Sequence, residues 1–398
     1  MEKKNFLSRI GLLPRIIIAM ALGIGAGIIF PDWLNRVFIT FNASFSQLLT
    51  FCIPLIIIGF VVPAISEIGV KAGKMLLFTA LLAYVATVFS GLLSYFTSAT
   101  IFPSMLTDTS MQSVANNAEN ALKPYFVIEM PPLLGVMTAL VTSFLFGLGI
   151  AHLSENSALR RGFCELRDII KKVIYAVIIP LLPLYIFGIF MDMTVTGQVA
   201  PVLKTFVKII IVIFVIHIAV LLIQFTVAAI FSRGSKNPLR LLGTMLPAYF
   251  TALGTQSSAA TIPVTLAQAR KLGVSDGIAG FVIPLCATIH MSGSMLKITA
   301  CALALMIVQG MPYDATMFIS FICMLAITMV AAPGVPGGAI MAALGLLTQI
   351  LGFSDTDNAL MIALYIAMDS FGTACNVTGD GALSVIVNRF FGGKEANS

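Results

Sequence analysis

Six long apolar stretches, at about 11–30, 44–65, 75–102, 132–153, 168–192 and 204–231, follow one another along the first 231 residues of this chain. Each reaches the roughly 20 residues that a helix needs to cross a bilayer core. A segment surrounded by hydrocarbon must satisfy its own backbone, and a helix does so within itself. The stretches therefore predict an all-α integral membrane protein. Composition agrees where it matters. Only 10% of the residues are charged and 59% are apolar, whereas an ordinary soluble domain has about 25% charged residues, and the mean hydropathy is +1.01. Soluble enzymes, disordered tails and nucleic-acid binders are excluded, because none can expose this much hydrocarbon to water. The net charge of +6 reads as the Lys/Arg excess of cytoplasmic loops and not as a nucleic-acid footprint. Six scattered cysteines, Cys52, Cys164, Cys286, Cys301, Cys323 and Cys375, form no CxxC pair and suggest neither a disulfide frame nor a zinc site.

Basic residues set the expected orientation. With the N-terminus cytoplasmic, the inner segments hold Lys3, Lys4, Arg9, Arg15, Lys71, Lys74, Arg160, Arg161, Arg167, Lys171, Lys172, Arg233, Lys236 and Arg240, and the outer ones hold Arg36 and Lys123. The positive-inside rule then predicts an N-in, multi-pass protein of the cell (inner or plasma) membrane. The first stretch reads as a retained span, since it runs into Phe30-Pro31-Asp32-Trp33 with no small-residue cleavage site. The longest polar insertion is the outer loop of about 103–131.

Beyond residue 240 the apolar stretches are interrupted at what should be bilayer depth. Thr255-Gln256-Ser257-Ser258-Ala259-Ala260-Thr261-Ile262-Pro263 breaks 241–270, and Ala332-Pro333-Gly334-Val335-Pro336-Gly337-Gly338 breaks 318–351. Irregular backbone at that depth is tolerated only where it packs in protein or lines an aqueous cavity. The pair predicts two re-entrant hairpins flanking a transport site, with two Pro-kinked spanning helices as the plainer alternative.

Between the hairpins, about 278–308, the run Ile289-His290-Met291-Ser292-Gly293-Ser294 carries the small polar residues of a helix that opens in the membrane. His290, Ser294 and Lys297 share a helical face. A mid-membrane Lys is costly and a functional suspect; snorkelling is the alternative for Lys297, and a hydrogen-bonded structural role the alternative for His290. In the last stretch, 359–391, residues Asp369, Thr373, Asn376 and Asp380 fall within a narrow arc at 100° per residue. Such a stripe must face protein or water, and its two carboxylates need cations. Lys297, a substrate ammonium or a bound hard cation could supply them. An ion pair of Asp369 with Lys297 would leave Asp380 alone.

These elements together, Asp369 ahead of Asn376-Val377-Thr378-Gly379-Asp380, the two hairpin tips and the break at His290–Ser294, resemble the dicarboxylate/amino acid:cation symporter family of glutamate transporter homologues. Order and spacing match over about 240–391; the first 235 residues fit by helix count and length. The resemblance implies about eight transmembrane helices, two re-entrant hairpins and an elevator fold in a homotrimer. It assigns residues 1–235 to the trimerisation scaffold and part of the transport domain, and 236–398 to the transport core. It also implies that Ser257, Ser258, Val335 and Gly337 offer groups to a substrate carboxylate, that Asp369 takes its ammonium, and that Thr373 and Asn376 lie nearby. Asp380, with carbonyls of Asn376 and His290, would bind one Na+, and the carbonyl of Thr288 would serve another. There are departures. The Arg that glutamate and aspartate carriers place three residues after the residue matching Asp369 is Gly372 here, and the Arg of some first hairpins is Gln256. Lys297 could fill the space at Gly372. The family's Asn-Met-Asp-Gly-Thr reads His290-Met291-Ser292-Gly293-Ser294, which puts the further cation site of the sodium-driven members out of reach.

The expected function is secondary active symport of a small amino acid or dicarboxylate, driven by Na+, by H+ or by both. An anion-conducting channel of the same fold is the alternative. An enzyme is disfavoured, because Ser292 beside His290 has no orienting third residue in the sequence, and no nucleotide-binding motif is present.

Overall fold

The computed structural model describes residues 12–68, 74–106, 122–154, 156–197, 199–232, 237–330 and 337–392. The N-terminal basic residues before Leu12, most of the 103–131 loop and the second hairpin tip with Val335 lie outside the described residues. Every regular element among the described residues is helical. The first six stretches form α1 (Leu12–Ile29), α2 (Asp32–Ile68), α3 (Lys74–Met105), α4 (Val136–Ala151), the pair α5 (Ala158–Val173) and α6 (Ile179–Val195), and α7 (Val199–Phe231). Among the described residues, five helical spans are long and apolar enough to cross a membrane, or six if one bent pair counts as a span.

Local chemistry explains several departures from a simple helix count. Pro31 precedes Asp32, so α1 stops there and α2 starts with an acidic residue in its first turn, well before residue 44. Between α5 and α6 lies a π turn, Ile174–Ile178. Pro180 and Pro183 follow it, lacking N–H donors and crowding the carbonyls one turn back, and a π turn absorbs that mismatch.

The second half folds as α8 (Pro238–Thr255) and α9 (Ser258–Lys271), then α10 (Asp276–Ile289) and α11 (Ser292–Gln309), then α12 (Ala315–Val330) and α13 (Gly338–Leu351), and finally α14 (Asp355–Ala367) and α15 (Asp369–Phe391). The interruption at 255–257 is a hairpin turn: Gln256 takes a left-handed conformation at φ 52° and closes α8, and Ser257 accepts from Ala260 N to begin α9. The helix at 278–308 is broken at His290 and Met291, as its small polar residues suggest. The last stretch is not one helix. It bends by 62° at Met368, where Asp369 becomes the first residue of α15.

Helix α15 is the axis of one half, packing against α7, α8, α9, α10 and α11, while α3 runs along α11. In the other half α1 lies along α6 and α2 along α4. The polar segments thereby end up inside. Helices α11 and α15 are buried along nearly their whole length, which for sequences this rich in Ser, Thr, Asn, Asp and Lys requires internal partners.

Candidate functional site

The break between α10 and α11 removes helical partners from backbone groups in the protein interior, and α3 supplies replacements. Thr87, Ser90 and Ser94 recur at helical spacing on one face of α3. Thr87 Oγ1 accepts from Met291 N at 3.2 Å, and Ser90 and Ser94 donate to the carbonyls of Ser292 and Leu296 at 2.7 Å each. Hydroxyl side chains crossing between closely packed helices are how membrane interiors satisfy such groups.

The first turn of α11 meets α15 directly. Gly293 N donates to Asn376 Oδ1 at 2.7 Å, and Asn376 Nδ2 donates to Ser294 Oγ at 3.3 Å. Ser294 in turn shares a 2.9 Å hydrogen bond with the Tyr365 hydroxyl. A Cβ on Gly293 would overlap the carbonyl oxygen of Gly372 and the Cβ of Cys375, so the two helices touch here because position 293 is glycine.

Lys297, on the next turn of α11, is only 1% exposed. Its Nζ donates to Met368 O at 3.2 Å, lies 3.5 Å from Asp369 Oδ1 and sits 3.8 Å above the Tyr365 ring. The space for it is the missing side chain at Gly372, where a Cβ would overlap Cε and Nζ of Lys297. The other oxygen of Asp369, Oδ2, accepts from Gly337 N at 2.9 Å. Asp369 therefore joins the broken helix to the start of α13, the descending arm of the second interrupted segment.

Asp380 is not alone, contrary to the expectation from an Asp369–Lys297 pair. Its Oδ1 lies 2.9 Å from His290 Nδ1, and His290 Nε2 lies 2.7 Å from Ser292 Oγ. Gln224 Nε2 of α7 donates to the same hydroxyl at 3.0 Å. Asp380 thus supplies the third residue that Ser292 and His290 lack in the sequence. The row cannot work as a nucleophilic triad, since Ser292, His290 and Asp380 are at most 1% exposed and Ser292 Oγ is already engaged by Gln224 and by Ala86 O. It ties α7, the helix break and α15 together.

Of the expected site residues, Lys297, Asp369, Asn376 and Gly337 are joined by these contacts, and Thr373 is buried on the same face of α15. Ser257 and Ser258 sit at the first hairpin turn, which reaches the start of α15 through Gln256 Nε2 donating to Ser370 Oγ at 2.8 Å. Thr288 stands apart: its residue is exposed and its hydroxyl donates to Leu285 O. Sequence reasoning missed Tyr365, Gln224 and the α3 hydroxyls. The 87, 90, 94 spacing on a spanning helix was the one available signal for the last. Among the described residues, no group of three or more His, Cys, Asp or Glu side chains converges to hold a metal ion; Asp380 is the one acidic side chain of the expected Na+ donors, and backbone oxygens make up most of the rest.

Comparison with known proteins places this geometry. The profile of the sodium:dicarboxylate symporter family matches residues 12–390. The serine/threonine transporter SstT of Acinetobacter baumannii (strain AYE) is 26% identical over 389 residues, covering 94% of this chain and 96% of that protein. The SstT of Acinetobacter baylyi is 25% identical over 412 residues, covering 97% and 98%. The excitatory amino acid transporter 1 of Rattus norvegicus is 30% identical over 303 residues, covering 72% of this chain and 54% of that protein.

Proposed function

The chain belongs to the sodium:dicarboxylate symporter family, and on that premise we propose that it is a secondary active symporter coupling uptake of a small amino acid or dicarboxylate to a Na+ or H+ gradient. It is a membrane transporter and not an enzyme. The single observation that carries the proposal is the buried polar row of Asp369, Thr373, Asn376 and Asp380 facing a helix broken at His290 and Met291. Carboxylates and open backbone at that depth are costly even when paired, and they mark substrate and ion pathways. In this reading Ser257, Ser258, Val335 and Gly337 frame the substrate from the two hairpins, Asp380 with carbonyls of Asn376 and His290 receives one co-transported ion, and the carbonyl of Thr288 serves another.

The family relationship supports the wider frame of the proposal. The helices of 1–235 supply a trimerisation scaffold and part of the transport domain, 236–398 supply the transport core, and the core moves as an elevator within a homotrimer. In this frame the protein lies in the cell membrane with about eight spanning helices and a cytoplasmic N-terminus, an orientation that the basic residues of its loops support.

The test is uptake by proteoliposomes under imposed Na+ or H+ gradients, screened over amino acids and dicarboxylates. Concentrative uptake that collapses with the gradient is expected. Anion current without concentrative uptake would replace symport by the channel alternative.

A further inference from the structure

A small pocket lies beside Lys297, between α7 and the bend at Met368. Ile213, Phe214, His217, Lys297, Met368 and Phe371 line it. Its apolar wall is rigid: Phe214 packs edge-on against Phe371 with centroids 4.5 Å apart. His217 is 3% exposed and is held edge-on to the Tyr249 ring at 5.8 Å, yet its Nε2 is buried and has no hydrogen-bond partner among the described residues. A ring nitrogen left this way in the protein interior is costly and asks for a ligand.

The charge balance points the same way. Of the two oxygens on Asp369, one is engaged by Gly337 N and the other lies 3.5 Å from Lys297 Nζ. That is long for a charged pair, which normally closes to about 2.7–2.9 Å. Lys297 is therefore a buried cation held loosely by its carboxylate, and across the pocket stands an imidazole with an unused nitrogen. In the tautomer that carries its proton on Nε2, His217 is a donor, and a donor and an ammonium that converge on an otherwise apolar space suit a negatively charged acceptor. The room there matches one water-sized atom, such as one carboxylate oxygen; a halide is larger and enters only if the side chains around it give way.

We propose that His217 and Lys297 form an anion-accepting pocket beside Asp369, which takes a single negatively charged group: the distal carboxylate of an acidic substrate, or a halide. His217 donates to it from Nε2–H, the Lys297 ammonium turns toward it from its long contact with Asp369, and Phe214 and Phe371 exclude water. The carboxylate form rests on the symporter reading above and makes acidic compounds the preferred substrate class; the halide form does not depend on it.

The experiment compares wild type with His217→Phe, which fills the pocket and removes the donor, and His217→Gln, which keeps a donor. Uptake of succinate and of serine is measured in proteoliposomes, and the melting temperature of purified protein is followed as sodium gluconate is exchanged for sodium chloride. If the anion is a substrate carboxylate, His217→Phe raises KM for succinate by about tenfold or more, leaves that for serine in place, and His217→Gln largely restores it. If the anion is a halide, chloride raises the melting temperature of wild type but not of His217→Phe. Where His217→Phe does not assemble, His217→Leu removes the same donor. Equal succinate KM and equal chloride response in wild type and the donorless variant overturn the pocket, as does a matched loss for succinate and serine without a chloride effect. Absence of any gradient-driven uptake by wild type would instead sink the symporter reading, and the chloride titration alone would then decide the pocket.

Discussion

The ammonium of Lys297 stands 3.5 Å from Asp369 Oδ1, two charges on different helices buried to within a few per cent of full enclosure. Neither has water to fall back on, so each depends on the other. Truncating one partner of such a pair typically costs about 3–5 kcal/mol, because the remaining charge is uncompensated. Lys297→Met is therefore expected to lower the melting temperature in detergent sharply, and Lys297→Met with Asp369→Asn to recover most of the loss. A Lys297→Met protein as stable as wild type would return this residue to the snorkelling alternative.

Much of this site was legible before the fold was known, and for a physical reason: polar side chains are so costly in hydrocarbon that their spacing alone locates them. The helical arc of Asp369, Thr373, Asn376 and Asp380 and the break at His290 follow from that cost. What escaped was pairing across the chain. Nothing local joins His290 to Asp380, Lys297 to Tyr365, or Ser90 to the carbonyl of Ser292, 202 residues away. The bend at Met368 was hidden too, since no Pro or Gly marks it; Lys297 binding the carbonyl of Met368 supports it from another helix.

Asp369→Asn leaves Lys297 uncompensated and lowers stability, and in the protein that still inserts it is expected to abolish amino acid transport. An amide can keep the hydrogen bond from Gly337 N, now at 2.9 Å to Oδ2, so the second hairpin arm stays docked. It cannot carry the charge that an ammonium needs. Apparent affinity for an amino acid should fall by about 100-fold or more, and far less for a substrate lacking an amino group. Equal amino acid uptake by the variant would remove Asp369 from the substrate site.

Gly372 makes room for Lys297, and the dependence is steric. A Cβ there would overlap Cε and Nζ of the lysine, so Gly372→Ala should destabilise by about 1–3 kcal/mol, the usual range for overpacking. On a Lys297→Ala background the same change should cost almost nothing. A double-mutant cycle on thermal unfolding reads this coupling, and additive effects would contradict the contact.

The α3 hydroxyls hold the broken helix by side-chain hydrogen bonds that alanine removes without altering packing. Ser90→Ala and Ser94→Ala each delete one 2.7 Å bond to a carbonyl of α11. Interhelical hydrogen bonds in membranes average about 0.6 kcal/mol and reach about 1.7. The double variant should lose roughly 1–2 kcal/mol in reversible unfolding, with faster exchange at the amides around Met291. No change in either would mean that other groups satisfy the break.

Coupling stoichiometry follows from how the break spends its side chains. His290 lies between Asp380 and Ser292, at 2.9 and 2.7 Å, and Gln224 occupies the same hydroxyl. The two positions that carry Asn and Asp in the family's sodium-driven members are thus committed to one another. A hard cation needs several oxygen ligands, and an imidazole nitrogen is not among those it prefers. On the proposed reading, Asp380 with nearby carbonyls would form one site, and the carbonyl of Thr288 would serve one more. Uptake should therefore couple two sodium ions or fewer to each substrate, and reversal-potential measurements in proteoliposomes can count them. A potential that requires three would mean that the His290–Ser292 contact opens during transport and that the row binds an ion after all.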